Sequence, residues 1–248
     1  MRLTVVGCTG SLPGPDSPAS CYLVEAGDTT LVLDLGSGAI GPLQRRIGLN
    51  TVDAVLLSHL HPDHCMDLCG YYVAARYSPW CDGSKIAIWG PDGTAERMAR
   101  AYGLPEDPGM TNEFAFDTYP DRPFVIGDVR VTATRVVHPV PAYAVRVEHE
   151  GSVLVYSGDT AATPALVDLA RDADLLLCEA TFLEGYDNPS GHHLTGREAG
   201  EHAAAANVRQ LMLTHILPWG DPDSTVAEAR SAFDGPTALA RSGAIVKI

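Results

Sequence analysis

The chain has 248 residues, and 46% of them are hydrophobic, which is enough for the core of one large domain. Acidic residues number 31 against 17 lysines and arginines, and the net charge of −14 opposes non-specific binding to nucleic acid, because phosphate contacts supply most of that affinity. No apolar run approaches the roughly 18 residues of a membrane span, so an integral membrane protein is excluded. We therefore treat residues 1–248 as a single domain.

The segment 1–7 at the N-terminus predicts a first strand, and it lacks the long apolar stretch of a signal peptide. A cytoplasmic location without membrane contact is therefore expected. The six cysteines are scattered without Cys-x-x-Cys pairs, so in a chain of this size we expect buried thiols rather than a disulfide framework. They are Cys8, Cys21, Cys65, Cys69, Cys81 and Cys178.

Strand patterns recur along the chain, and several are rich in Val, Leu and Ile, as buried strands are. In chain order they lie at 2–7, 20–26, 29–35, 52–58, 85–89, 128–137, 142–149, 152–157, 174–179, 209–214 and 236–248. Helical patterns fall between them, near 39–47, 63–77, 93–102, 163–172, 195–206 and 223–233. Helix start signals are clearest at Thr163-Pro164, at Thr195 with Glu198 three residues on, and at Asp223 or Ser224.

Three of the buried strand patterns have a feature in common, because each has a polar residue at its carboxyl end. The strand 52–58 leads to His59, the strand 174–179 ends on Glu179, and the strand 209–214 leads to His215. Strands in two sheets with helices outside them predict an α/β fold with four layers, an αββα sandwich. Because ligands commonly gather at the carboxyl ends of such strands, we expect the functional site there.

The run His59-Leu60-His61-Pro62-Asp63-His64 carries the strongest chemical signal. His59 and His61 are two residues apart, so in an extended backbone they share a side. Pro62 then turns the chain, and Asp63 and His64 can open the next helix facing the same pocket. The run therefore offers two ligand pairs to two neighbouring positions. Imidazole with carboxylate suits zinc, with manganese or iron as alternatives.

Further candidate ligands lie in similar settings. His138 ends the strand 128–137, Asp159 follows a glycine after the strand 152–157, and His215 ends a third strand. A lone histidine at the end of a strand is usually structural. Beside the run 59–64, however, these three residues favour a metal centre.

The order and context of these motifs resemble the metallo-β-lactamase superfamily over nearly the whole chain. Asp34 in Leu33-Asp34-Leu35-Gly36 matches the first motif, the run 59–64 the second, and His138, Asp159 and His215 the third, fourth and fifth. The resemblance implies the metallo-β-lactamase sandwich and two divalent metal ions. The implied ligands of one ion are His59, His61 and His138, and those of the other are Asp63, His64 and His215. Asp159 bridges the two ions, and Asp34 orients ligands through hydrogen bonds.

Two more segments resemble the phosphodiesterase branch of that superfamily, which contains ribonuclease Z. Glu179-Ala180-Thr181 is similar to its Glu-Ala-Thr segment, and His193-Leu194-Thr195 is similar to its His-Ser-Thr segment, with Leu194 as the departure. The resemblance implies that His193 is the general acid for the leaving oxygen and Glu179 its orienting partner. Asp34 and Asp63 complete the implied catalytic set, and a hydroxide held between the two metal ions attacks the phosphodiester.

The resemblance to ribonuclease Z weakens at the segments that bind substrate. A spacing of only 21 positions between His138 and Asp159 leaves no room for the long tRNA-clamping arm of the bacterial enzymes, and the loop 10–18 lacks their basic residues. Segments 14–20, 193–195 and 215–219 instead look like atypical bacterial cyclic-nucleotide phosphodiesterases. This second resemblance implies a small phosphodiester or nucleotide substrate, such as a cyclic mononucleotide, and disfavours RNA.

The sequence also predicts which residues surround this pocket and which histidines lie outside it. We expect the loop 9–20 to line its mouth, and we expect Trp219, Trp80 and Tyr77 to be packed in the interior rather than free to stack on a base. His149 and His202 are interpreted as ordinary surface histidines, and His192 as structural.

Three other functions stay open. The first is a ribonuclease Z-like endonuclease that processes RNA 3′ ends. The second is a thioester or lactone hydrolase, although those branches do not need the pair of Glu179 and His193. The third is a non-catalytic metal-binding or sensing protein, which the full ligand set disfavours. Relatives of this kind also imply a homodimer.

Overall fold

The computed structural model describes residues 1–80 and 83–248, and two seven-stranded mixed sheets dominate it. The first sheet runs in the order β14 (Ile245–Lys247), β1 (Arg2–Gly7), β2 (Cys21–Ala26), β3 (Thr29–Leu33), β4 (Ala54–Leu56), β5 (Ile86–Gly90) and β6 (Phe114–Thr118). The second runs in the order β13 (Thr237–Leu239), β12 (Leu211–Thr214), β11 (Leu175–Glu179), β10 (Ser152–Tyr156), β9 (Tyr143–His149), β8 (Val129–Arg135) and β7 (Phe124–Ile126).

Helices connect these strands. They are α1 (Ile40–Gln44), α2 (Pro62–Cys65), α3 (Leu68–Tyr77), α4 (Thr94–Tyr102), α5 (Pro164–Ala170), α6 (Gly196–Ala205) and α7 (Pro222–Arg230), with one turn of 3-10 helix at Leu49–Thr51. The predicted start signals hold for α5 and α6, since the Thr163 hydroxyl accepts from the Ala165 N–H and Thr195 forms a capping box with Glu198. No helix within these described ranges is long and apolar enough to cross a membrane.

Apolar side chains form three packed layers, which follow from the alternation of side chains along each strand. In β2, Tyr22 and Val24 point into the space between the sheets, where they join Val147 of β9, whereas Leu23 points outward. The outward face of the first sheet packs against α1, α3 and α4, and that of the second sheet packs against α5, α6 and α7. The predicted four-layer αββα sandwich is therefore confirmed.

The edges of the sheets differ from the sequence prediction. The strands β6 and β7 have no counterpart in the predicted set, because Asp117, Thr118 and Val125 are exposed and break the apolar pattern of buried strands. The segment 236–248 forms two strands rather than one. It turns at Ser242 and Gly243, so that β13 joins the second sheet and β14 the first.

The helix predicted at 63–77 is also two helices, α2 and α3, which meet at Met66 and Asp67. The backbone N–H of Asp67 donates to Leu35 O at 3.1 Å, and its carboxylate accepts from the Ile40 N–H at 2.8 Å. These bonds tie the junction to the segment after β3 and divert it from a continuous helix.

Among the cysteines, Cys21, Cys65 and Cys178 are buried free thiols, as predicted, and Cys8 and Cys69 are half-buried. The prediction for Cys81 lies outside the described residues.

The topology gathers candidate ligands at one edge of the sandwich. The strands β3 and β4 are parallel, and so are β10, β11 and β12. Asp34 and His59 follow the first pair of strands, Asp159 and His215 follow β10 and β12, and Glu179 is the last residue of β11. Carboxyl ends of parallel strands meet at the same edge, so this edge is where the site is expected.

Truncation of one valine in the space between the sheets tests how much that layer stabilises the fold. Val147 of β9 is fully buried, whereas Val125 of β7 is 69% exposed. We expect Val147→Ala to lower the free energy of unfolding by about 2 kcal/mol, from two lost methyl groups plus the cavity they leave. The matched change Val125→Ala should cost under about 0.5 kcal/mol. Chemical denaturation measures both, and equal costs would contradict the layer assignment.

Candidate metal centre

One cluster of ligand atoms forms around His59, His61, His138 and Asp159, all within 4.8 Å of one another. His59 Nε2 lies 2.9 Å from His61 Nδ1, and His138 Nε2 lies 3.2 Å from that same atom. His61 holds the position just before α2, with an extended backbone that places it on the same side as His59. The structure thus brings together the four residues predicted around one metal position.

A second cluster contains Asp63, His64, Asp159 and His215. Pro62 begins α2, and the first turn of that helix turns Asp63 and His64 inward, where both are buried. His215 Nε2 lies 3.1 Å from Asp63 Oδ2 and 3.2 Å from His64 Nε2. These are the residues predicted around the other metal position.

Asp159 belongs to both clusters and is the strongest evidence that they suit a cation. It is 2% exposed, and its Oδ1 has no hydrogen-bond partner anywhere in residues 1–80 and 83–248. A buried acceptor without a partner is costly, and a metal ion between the clusters would satisfy it. The donor set of imidazoles and carboxylates therefore fits one or more divalent cations.

Electrostatics favour neutral imidazoles in the first cluster. Burial lowers the pKa of His59, His61 and His138, and for His59 the neighbouring His64 lowers it further. Neutral rings keep a lone pair, which is the form that binds a metal. The first cluster is thus prepared for coordination rather than for protonation.

In the second cluster, carboxylates and imidazoles shift each other's pKa values in opposite directions. Burial disfavours the charged ring of His64, but Asp159, Asp34 and Asp63 outweigh it and hold its pKa well above the usual value. Burial likewise opposes ionisation of Asp159, but His215 and His64 outweigh it and hold that pKa well below the usual value. The carboxylates that attract a proton to His64 would attract a divalent cation to the same place.

Asp34 fixes the orientation of the ligands from a position of complete burial. Its Oδ1 accepts from the Ser58 N–H at 2.6 Å, and its Oδ2 accepts from the Ser58 hydroxyl, His64 Nδ1 and the Tyr156 hydroxyl, each at 2.7 Å. Because His64 Nδ1 donates to this carboxylate, its Nε2 faces His215 and Asp63. Asp34 thus contacts a candidate ligand directly, which is the contact that the predicted orienting role requires.

Two of these residues sit in a backbone conformation that side chains rarely adopt. Asp34 has φ of +56° and His215 has φ of +62°, which is the left-handed region. The Asp34 N–H donates to Leu56 O of β4 at 2.9 Å and the His215 N–H to Cys8 O, just after β1, at 3.0 Å, so the backbone of neighbouring segments holds both turns in place. Such conformations cost about 1–3 kcal/mol each and are concentrated at functional sites.

A histidine and glutamate pair adjoins the second cluster. His193 Nδ1 lies 2.9 Å from Glu179 Oε1, and the His193 ring centroid lies 5.3 Å from that of His215. Burial lowers the pKa of His193, but the charge and hydrogen bond of Glu179 outweigh it and raise that pKa to about 9. Glu179 therefore favours the protonated form of the ring, and its carboxylate leaves His193 Nε2 unused.

Three hydroxyl residues at this site are missing from the sequence prediction. Ser58 and Tyr156 bind Asp34, as described above, and the Thr181 hydroxyl lies 2.8 Å from His215 Nδ1. Thr181 belongs to the Glu-Ala-Thr segment, and its place in that segment is the sequence feature that points to a role at the site. Ser58 and Tyr156 occupy buried strand patterns that give no sign of a polar role.

The surroundings of the centre correct several expectations. Trp219 and Tyr77 are 71% and 70% exposed, so the prediction that they pack in the interior is wrong, whereas Trp80 is partly buried against the outer core. His202 is buried, not a surface histidine, and its Nε2 accepts from the Thr163 N–H at 3.0 Å. His192 is partly buried, and its carbonyl lies 2.9 Å from His138 Nδ1.

The early loop lies beside the centre. The Ser11 N–H approaches His215 Nε2 at 3.4 Å, and residues 14–17 line both of two cavities of about 340 and 330 Å³. The first cavity is lined by Arg45 and Arg46, and the second by Thr214 and Ile216, the two neighbours of His215. None of the candidate metal ligands lines either cavity.

Comparison with known proteins agrees with this geometry. A family model described as a beta-lactamase superfamily domain matches residues 28–216. An uncharacterized protein of Mycobacterium leprae is 45% identical over 98% of this chain and 87% of its own length. The probable metallo-hydrolase YhfI of Bacillus subtilis is 31% identical over 98% of each chain, and ribonuclease Z of Mycobacterium marinum is 30% identical over 95% of this chain and 94% of its own.

Solved structures show the same similarity. The crystal structure of the metallo-beta-lactamase fold protein YhfI has a TM-score of 0.89 at 29% identity and covers 99% of this chain and 98% of its own. A diphosphatase from the PhnP family has a TM-score of 0.78 at 17% identity over 100% of this chain and 97% of its own, which is a likeness of fold alone.

An αββα sandwich with imidazole and carboxylate clusters at its strand ends defines a metal-binding hydrolase. The chain belongs to the metallo-β-lactamase superfamily, in the branch that resembles ribonuclease Z.

The role of Asp34 can be tested by removing its charge. In Asp34→Asn the amide NH₂ faces donors instead of accepting from them, so His64 loses part of its orientation. We expect divalent metal affinity to fall about 10- to 100-fold, as for other partners that orient a metal ligand. Metal retained in competition with a chelator measures this. The control Asp53→Asn changes an exposed carboxylate that accepts from the Thr30 N–H, and should bind metal normally. Unchanged affinity in a folded Asp34→Asn protein would contradict the assignment.

Proposed function

We propose that the protein is a phosphodiesterase that uses two divalent metal ions and cleaves a small nucleotide such as a cyclic mononucleotide. The observation that carries this proposal is the position of His193 and Glu179. A histidine paired with a buried glutamate adjoins two ligand clusters that share one carboxylate, and its ring centroid lies 5.4 Å from that of His138 and 5.3 Å from that of His215.

The ligand roles follow the two clusters. His59, His61 and His138 would hold one ion, Asp63, His64 and His215 the other, and Asp159 would bridge them. Zinc is the expected metal for this mixture of imidazole and carboxylate, with manganese or iron as alternatives. Two such ions, when bound, would supply a hydroxide nucleophile at neutral pH and would neutralise the charge of an anionic substrate.

The chain itself supplies the proton for the leaving group. Glu179 Oε1 accepts from His193 Nδ1 and from the Thr160 N–H at 2.7 Å, so the carboxylate holds the ring at a fixed angle. His193 Nε2 then carries the proton that an alkoxide leaving group needs as the phosphorus–oxygen bond breaks. A thioester has a better leaving group and needs this proton less, which favours the phosphodiester over the thioester.

The short hairpin of β9 and β10 in the second sheet favours a small substrate over a long RNA. The interval between His138 and Asp159 is filled by β9 and β10, joined by a two-residue turn at Glu150 and Gly151 with φ of +47° and +83°. No arm projects from this hairpin to grip an RNA. The net charge of −14 also opposes contact with a long polyanion.

Two exposed aromatic residues on segments that adjoin His215 and His193 in sequence are available to stack on a nucleobase. Trp219 follows His215 by four positions, and Tyr186, which is 73% exposed, lies in the segment between Glu179 and His193. Such rings can stack on a base, a contact worth about 1–3 kcal/mol per base. Stacking would add affinity for a nucleobase beyond that for a bare phosphodiester.

A ribonuclease Z-like endonuclease is the second candidate. The observation that favours it is the identity of 30% to ribonuclease Z of Mycobacterium marinum over 94% of that protein. The same relay of Glu179 and His193 would serve either substrate, so only a direct comparison of substrates separates the two.

A substrate panel tests the proposed function. Zinc-loaded protein would receive bis-p-nitrophenyl phosphate, 3′,5′-cyclic AMP, a tRNA precursor and a thioester, with Asp159→Ala as the matched protein to exclude contaminating enzymes. We expect cleavage of the first two substrates, because both are small phosphodiesters. Cleavage of the tRNA precursor alone would favour the endonuclease, and cleavage of the thioester alone would reject a phosphodiesterase.

The general-acid role of His193 predicts a dependence on the leaving group. We expect His193→Ala to slow hydrolysis of 3′,5′-cyclic AMP by about 10²- to 10⁴-fold, because its alkoxide must be protonated. Hydrolysis of bis-p-nitrophenyl phosphate should fall far less, since nitrophenolate leaves without a proton. Metal content should be unchanged, and the control His149→Ala lies on β9, away from both clusters. Equal losses on the two substrates would contradict the role.

A further inference from the structure

The Thr181 hydroxyl lies between the metal ligands and the acid–base pair. Its Oγ1 is 2.8 Å from His215 Nδ1 and 2.9 Å from Glu179 Oε2. All three residues are less than 10% exposed. The two hydrogen bonds therefore form a continuous path from the second ligand cluster to the partner of His193.

The direction of each hydrogen bond follows from the groups involved. A hydroxyl has one proton to donate, and a carboxylate can only accept. Thr181 therefore donates to Glu179 Oε2, and its oxygen accepts from His215 Nδ1–H. With its proton on Nδ1, the His215 ring keeps a lone pair on Nε2, the atom that faces Asp63, His64 and Asp159. The hydroxyl thus selects the tautomer that can bind a metal.

The backbone fixes Thr181 rigidly enough for this purpose. The Ala180 N–H donates to Thr214 O at 3.0 Å, which joins the ends of β11 and β12, and the Thr181 N–H approaches Glu179 Oε2 at 3.3 Å. The His215 carbonyl is a competing acceptor, but at 3.1 Å it is farther from the hydroxyl than Glu179 Oε2 at 2.9 Å and it is neutral, so the charged carboxylate is the preferred acceptor. The backbone hydrogen bonds of Ala180 and Thr181 thus keep the Thr181 hydroxyl close to both His215 and Glu179.

We propose that Thr181 is a positioning residue that couples the two parts of the site. Its single hydroxyl orients His215 for the second metal position and Glu179 for the His193 ring. Loss of that hydroxyl therefore weakens metal binding and slows leaving-group protonation together. The second of these effects rests on the proposed phosphodiesterase function, whereas the first does not.

The experiment compares Thr181→Val, which keeps the shape and removes the hydroxyl, with Thr181→Ser, which keeps the hydroxyl. The control is Thr225→Val, because Thr225 is a buried threonine of α7 that donates to Asp221 O at 3.0 Å, outside the clusters. Zinc affinity is measured by chelator competition, and the cobalt-substituted protein gives an absorption spectrum that reports ligand geometry. Turnover is measured on 3′,5′-cyclic AMP and on bis-p-nitrophenyl phosphate.

We expect Thr181→Val to weaken zinc binding at one of two positions by about 10- to 100-fold and to change the cobalt spectrum. Its turnover of 3′,5′-cyclic AMP should fall by more than its turnover of bis-p-nitrophenyl phosphate. Thr181→Ser should restore affinity, spectrum and leaving-group dependence, and Thr225→Val should match the wild type.

Three outcomes would overturn the proposal. Thr181→Val could retain wild-type affinity and spectrum, Thr181→Ser could be as impaired as Thr181→Val, or only one of the two effects could appear. If Thr181→Val does not fold, Thr181→Ala makes the same comparison against Thr181→Ser. If the wild type cleaves neither phosphodiester, the proposed function fails, while affinity and the cobalt spectrum still test the link between Thr181 and His215.

Discussion

The Asp34 carboxylate joins the two sheets at the point where the ligands converge. A buried carboxylate is costly unless donors surround it, and four donors do so here. Ser58 and His64 belong to the segments after β4, whereas Tyr156 is the last residue of β10 in the second sheet. The donors that surround this one carboxylate therefore tie the end of β4 in the first sheet to the end of β10 in the second. Asp34 also orients the ring of His64 and holds Ser58, the residue just before His59.

The candidate ligands could be singled out in the sequence because metal chemistry restricts such residues to few types. Histidine and aspartate at the ends of buried strands are rare enough to stand out, and the structure gathers all seven predicted ones into two clusters. The hydroxyl residues around them could not be predicted in the same way. Serine, threonine and tyrosine are common in strands, and only the three-dimensional placement of Ser58, Tyr156 and Thr181 gives them partners. His202 shows the same limit, because its burial depends on the approach of Thr163 from another helix.

The fold was predictable where strands are buried on both faces and unpredictable at the sheet edges. The strands β10, β11 and β12 are continuous apolar runs, because helices and the opposite sheet cover both of their faces. The edge strands β6 and β7 have exposed positions, and their pairing is set by β5 and β8 rather than by their own pattern. The segment 236–248 reads as one strand, since hydrophobicity does not report that its halves belong to different sheets.

Leu194, the departure from the His-Ser-Thr segment, has a structural explanation that bears on the acid–base pair. Its side chain is fully buried in the outer core of the second sheet, and its carbonyl accepts from the Phe182 N–H at 3.0 Å. Thr195 continues this short pairing with Phe182 and then caps α6. The position of His193 is thus anchored by packing and backbone hydrogen bonds on its carboxyl side. On its amino side the His192 carbonyl meets His138 Nδ1. The segment that carries His193 is therefore tied to His138 of the first cluster, and through Glu179 and Thr181 to His215 of the second, so the histidine and glutamate pair and both clusters are parts of one hydrogen-bond network.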